Sequence, residues 1–108
     1  MAPIAPLVML SAVVPLDSSL AGWTLLDSDE GDGEAPRSFR YAVSFAAPFS
    51  APPVVQLGVV GLDASKDDNL RLKVRAEAIS RTGFTVLVET WLHTRLWSVD
   101  VSWLAIGS

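Results

Sequence analysis

The stretch LRLKVRAEA, residues 70–78, sets Leu70, Leu72, Val74, Ala76 and Ala78 in alternation with Arg71, Lys73, Arg75 and Glu77. Successive side chains of a β-strand point to opposite faces, so a period of two buries one row and solvates the other. Wound as a helix, the same apolar residues scatter around the axis and bury nothing coherent. The stretch predicts a half-buried strand, with core on one side and water on the other.

Working outward, the same signature recurs. Phe39, Tyr41, Val43 and Phe45 alternate with Ser38, Arg40, Ala42 and Ser44. Phe84, Val86 and Val88 alternate with Thr85, Leu87 and Glu89, and Val99, Val101, Trp103 and Ala105 alternate with Ser98, Asp100, Ser102 and Leu104. A fifth run, Val54 to Val60, is apolar with Gln56 and Gly58 inside it and reads as a more buried strand. Leu7 to Val14 is a weaker sixth candidate.

Turns fall between these runs. Pro48, Pro52 and Pro53 break the chain before the fifth run, because proline cannot donate to a ladder. Asp63 to Asn69 is a polar loop. Ser80, Arg81, Thr82 and Gly83 make a connection of hairpin length, and Leu92 to Trp97 joins the last two strands. Six short strands with closely spaced turns predict an all-β, six-stranded antiparallel β-sandwich. The chain divides into an N-terminal segment, residues 1–36, holding a strand candidate and an acidic loop, and a sandwich over 37–108, forming one compact domain overall.

The 108 residues suit one domain, and half of them are hydrophobic. Charged residues make up 19%, with a formal net charge of −4. That balance argues against nucleic acid, whose phosphates need a basic stripe, and against disorder. With no cysteine there is neither a disulfide nor a thiolate metal site. Met1 to Val14 lacks the basic start of a signal peptide, and no apolar run reaches the roughly 20 residues of a membrane helix. The reading is a soluble protein, extracellular or surface-exposed, with no membrane insertion and no cofactor.

Leu87, Trp91, Leu96, Trp97, Leu104 and Ile106 fall on the opposite parity from the core or in loops. A small monomer has to expose some of them, and exposed apolar patches mark partner surfaces, so self-association is expected.

Catalytic chemistry is sparse. His93 is the one histidine, and there is no G-x-S-x-G elbow or phosphate-cradling glycine loop. Glu77 and Glu89 fall on outward positions where a solvated charge is the default, so no enzyme is expected. The acidic run DSDEGDGE, residues 27–34, sets Asp27, Asp29 and Gly31 at the alternate spacing of an EF-hand start. The glycine is at the fifth position instead of the sixth, and the twelfth position is Ser38 where a glutamate is needed. A solvated acidic loop is the simpler reading, and no metal site is assigned. Trp91, His93 and Trp97 lie within seven residues, at one end of two adjacent strands. An aromatic face packs on the C–H side of a sugar ring while nearby polar groups bind its hydroxyls. The alternative is a tryptophan packed in the core or at a subunit contact.

Four blocks, in order, resemble the H-type lectin domain of invertebrate agglutinins and of the discoidin C-terminus. They are FAAPFSAPPVV (45–55), GLDASKDDNLRLKV (61–74), ISRTGFTV (79–86) and ETWLHTRLWSVDVSWLAIG (89–107). Gly22 and Trp23 are similar to a Gly-Trp pair near the start of some members. The resemblance implies a six-stranded sandwich that assembles as a homotrimer, or as paired trimers. It implies binding of galactose-type glycans, often N-acetylgalactosamine, at one end of the trimer between subunits. Arg71 matches an arginine that binds sugar hydroxyls, and Asn69 shapes the loop before it. Trp91 matches the tryptophan of a T-W motif on the sugar's apolar side. Leu92 stands where some members have a histidine, with His93 one position later. Trp97 stands where members often have tyrosine. The family's aspartate corresponds to Glu34 in a gapless match, with Asp32 two residues earlier, and either serves if loop length differs. The alternative expectation is a structural trimerisation or adhesion module of a larger fibre or particle, with no active sugar site.

Overall fold

The computed structural model describes residues 6–27 and 35–108. Six strands occur in chain order: β1 (Val8–Asp17), β2 (Arg37–Ser44), β3 (Val54–Ala64), β4 (Lys73–Glu77), β5 (Gly83–Thr90) and β6 (Leu96–Gly107). They form two three-stranded antiparallel sheets, ordered β1-β6-β3 and β2-β5-β4. The inner rows meet face to face as a sandwich. Leu16, Val99, Val101, Trp103 and Ala105 come from one sheet, and Phe39, Phe84, Val86 and Val88 from the other. Phe45 bridges them at one end, with ring centroids 5.1 Å from Phe49, 5.9 Å from Phe84 and 5.7 Å from Trp103.

The inner rows of β2, β5 and β6 follow the expected parity, apart from Tyr41, which sits at the open side of the sandwich and is exposed. The weak sixth candidate is a full strand that runs through Pro15 to Asp17 and pairs along its whole length with β6. Pro15 is tolerated because β1 is an edge strand.

Three expectations are corrected. The run 54–60 is not a more buried strand: β3 is the opposite edge, with Val54 62% and Val60 61% exposed. Its apolar residues lie on both faces, but only one face meets the core. Val60 is an extra residue between the pairs Val59↔Val101 and Gly61↔Asp100, a β-bulge that turns it outward. Leu96 and Leu87, expected among the leftover residues, are buried. A second bulge makes Trp97 the extra residue between the pairs Ala64↔Leu96 and Asp63↔Ser98. Parity reverses there, so Leu96 turns inward and Trp97 outward. Leu87 does face away from the core, between Arg40 and Arg75 in register. Arg40 Nε reaches Glu77 Oε1 at 3.1 Å across the central strand, and Arg75 Nη2 reaches Glu89 Oε1 at 3.4 Å. The stems of these side chains roof Leu87, leaving it 3% exposed.

The stretch that decides the fold is itself trimmed. β4 spans Lys73–Glu77 and not residues 70–78. Ala78 ends it with φ 52°, the left-handed region, and is exposed. At the other end, side chains replace ladder bonds. The buried Thr90 hydroxyl donates to the Arg71 carbonyl at 2.5 Å, and the buried Thr94 hydroxyl donates to the Asn69 carbonyl at 2.6 Å.

Candidate functional site

Three connections gather at one end of the sandwich, in their described parts residues 18–27, 65–72 and 91–95. Backbone bonds stitch them together. Ser65 N donates to the Arg95 carbonyl at 2.9 Å, and Leu96 N to the Leu25 carbonyl at 2.8 Å. The Trp23 indole N–H donates to the Leu96 carbonyl at 2.9 Å, with its ring 5.1 Å from Phe39. Gly22, at φ 85°, makes the turn that swings Trp23 inward.

Arg37, the first residue of β2, fastens two of these connections. Nη2 donates to the carbonyls of Leu92 (2.9 Å) and Thr94 (2.6 Å), and Nη1 donates to that of Thr24 (3.3 Å). A planar guanidinium suits the task because its donors point in fixed, divergent directions. The loop after β5 and the segment after β1 are therefore tied to one side chain, and neither can shift without breaking bonds to Arg37.

Arg71 lies at this end, half-buried, and its Nη1 donates to the Thr94 hydroxyl at 3.0 Å. Thr94 thus accepts from Arg71 while donating to Asn69, which ties the loop after β5 to the loop before β4. Trp91 follows β5 and is half-buried. The Lys73 ammonium sits 5.4 Å from its ring centroid, a cation–π contact of about 0.5–1 kcal/mol at an exposed position. Leu92 takes φ 56° and His93 is exposed. Trp97 is 47% exposed on its bulge.

Arg71, Trp91, Leu92 and His93 are accordingly brought to one end, with Trp97 at the adjacent start of β6. The expectation that the two strands flanking this loop are adjacent is corrected: β5 and β6 lie in opposite sheets. The loop crosses from one sheet to the other, so Trp91 and Trp97 stand on different layers. Asp32, Glu34, Asp29 and Gly31 lie outside the described residues; Asp27 is described and exposed. Among the described residues no group of three or more acidic, histidine or cysteine side chains could hold a metal ion.

Four contributors escaped sequence reasoning. Thr90, Thr94, Arg37 and Lys73 carry ordinary residue types. A signal was present for the threonines, which bracket the tryptophan loop four residues apart in TWLHT (90–94). A polar residue at each root of a loop is a natural anchor for a neighbouring carbonyl.

Fold and loop geometry together define a β-sandwich module in which Arg71, Trp91, Leu92 and His93 gather on loops at one end. The family model for the H-type lectin domain matches residues 40–106. A protein of Fuscovulum blasticum named ATP synthase subunits region ORF 7 is 38% identical over 93 residues, covering 81% of each chain. The native structure of recombinant discoidin II of Dictyostelium discoideum superposes with a TM-score of 0.77 at 19% identity, over 97% of this chain and 40% of that one. The structure of wild-type discoidin II from the same organism gives a TM-score of 0.74 at 20% identity, over 96% and 39%. The chain thus spans about two fifths of the discoidin II chains it matches. It belongs to the H-type lectin domain family, and its fold is that of a carbohydrate-binding lectin.

Proposed function

We propose that this protein binds galactose-type glycans, N-acetylgalactosamine-type sugars among them, as a homotrimeric lectin without catalysis. The observation that carries the reading is the meeting of Arg71 and Trp91 at one loop end, with Arg71 held through Thr94. In this reading the Arg71 guanidinium addresses adjacent sugar hydroxyls, while Trp91 packs on the C–H face. Trp97 adds an aromatic wall, and Leu92 and His93 form the rim. Asp32 or Glu34 supplies the acceptor for a further hydroxyl. Three identical sites on one assembly raise the effective concentration at a glycan-coated surface, so weak single sites act together. The apolar outer face of the β1-β6-β3 sheet supports self-association, with Met9, Val13, Val54 and Val60 exposed and Leu104 and Ile106 half-buried among them. Trimers that pair through a further surface remain compatible with this geometry.

That same face favours a second reading, a structural trimerisation or adhesion module with no active sugar site. A glycan-array screen of the purified protein, with its mass in solution recorded alongside, separates the two. Binding of galactose-type glycans by a trimer supports the lectin. A trimer that binds nothing on a broad array supports the structural module. Arg71→Ala sharpens the choice: in a lectin it abolishes glycan binding while the trimer persists. Loss of the trimer would place Arg71 in a subunit contact instead.

A further inference from the structure

We infer that the glycan taken by this site carries an acidic group, a carboxylate or a sulfate, and that the Lys73 ammonium receives it. The inference rests on the carbohydrate-binding reading and names the ligand class for that same site. On the strands, Arg40 is matched by Glu77 and Arg75 by Glu89, and at this loop end Arg95 is matched by Asp68, while Lys66 and, at the other end, Arg81 have no carboxylate partner among the described residues. Arg71 and Lys73 likewise have none. Among the described residues, no carboxylate oxygen lies within ion-pair distance of either. Glu89 stands directly opposite Lys73 in register, yet it is engaged by Arg75. Asp27 and Asp67, at the same end, pair with neither. Arg71 is held by a neutral hydroxyl, and Lys73 rests over the Trp91 ring.

Two cations two residues apart, with no carboxylate partner among the described residues, therefore stand beside the Trp91 face. This arrangement has a consequence for specificity. An ammonium over the ring competes with the C–H face of a neutral sugar, which offers it no better partner. A ring bearing an anionic substituent does, because a charge-assisted hydrogen bond to carboxylate or sulfate is stronger than the cation–π contact it replaces. Lys73 then swings off Trp91 onto the anion, and the sugar takes the vacated face. Its long, flexible stem and exposed position permit that movement.

The test compares a neutral β-galactoside with its 6-carboxylate, 3-sulfate and 6-sulfate counterparts by titration calorimetry on the full chain, in 50 and 500 mM salt. The acidic ligands are expected to bind at least tenfold more tightly at low salt, with the advantage shrinking at high salt as exposed charges are screened. The carboxylate and sulfate arms identify which anion is preferred. Lys73→Gln is expected to erase the difference between acidic and neutral ligands. Arg40→Gln, which removes the same charge from the sheet face, is expected to leave it in place. Equal affinity for neutral and acidic ligands, or an acidic preference that survives Lys73→Gln, overturns the inference and leaves the lectin standing. A folded protein that binds none of the four overturns the lectin reading and this inference with it.

Discussion

Thr94 joins two of the loops at the Arg71 end through a single hydroxyl. It is buried, donates to Asn69 and accepts from Arg71. Thr94→Val keeps the shape but leaves the Asn69 carbonyl without its donor, at a cost of about 1–3 kcal/mol. Urea denaturation is expected to read that loss, and glycan affinity is expected to fall with it because Arg71 is no longer held. Asp17 offers a second check at the same scale. The Ser19 hydroxyl and then the Ser19 backbone N–H donate to its carboxylate, holding its pKa below the ordinary value. Since the folded value is the lower one, the contribution is present above the unfolded pKa. It is lost as pH falls through the folded pKa. Titration of Asp17 by NMR is expected to give a depressed midpoint, and Ser19→Ala to move it up toward the ordinary carboxylate range.

At the scale of elements, the β4–β5 hairpin carries an avoidable strain. Ala78 holds φ 52° with its side chain exposed, so Ala78→Gly removes the Cβ conflict at little packing cost. The left-handed penalty of about 1–2 kcal/mol, less the entropic cost of glycine of about 0.4–1 kcal/mol, leaves an expected gain of about 0.5–1 kcal/mol, seen as a raised midpoint in urea with an unchanged slope. Leu87 behaves in the opposite sense. Leu87→Ala is expected to cost about 2–3 kcal/mol, although it lies on the face turned from the core. These two positions also mark how far the chain could be read in advance. Alternation located the inner rows of β2, β5 and β6, because each row meets a partner sheet whatever that sheet's detail. It could not foresee that two ion pairs would cover Leu87, since Arg40, Glu77, Arg75 and Glu89 come from three strands. Nor could it place the Trp97 bulge, which depends on where β3 stops matching β6. The site was legible in part for the same reason. Arg71 and Trp91 stood out by resemblance, whereas Thr94 and Arg37 matter through carbonyls of distant segments.

For the whole molecule, the two outer faces differ in kind. One is a lattice of ion pairs over Leu87, and the other is largely apolar along Met9, Val13, Val54 and Val60. Association through the apolar face predicts that Met9→Asp combined with Val54→Asp lowers the mass measured by light scattering to that of a monomer. A circular dichroism spectrum that stays unchanged would show the sandwich itself intact. If the variant keeps its oligomeric mass, the contact lies elsewhere. A last consequence follows from the register of the outermost strand. Val8 pairs with Gly107, so β1 begins where β6 finishes, at the far pole from Arg71 and Trp91. A fluorescent reporter, a biotin handle or a solid support attached at the exposed Leu7 or Met9 side chain near this pole sits behind the molecule like a grip. The loops carrying Arg71 and Trp91 then project away from it, so immobilised protein presents that end outward by construction.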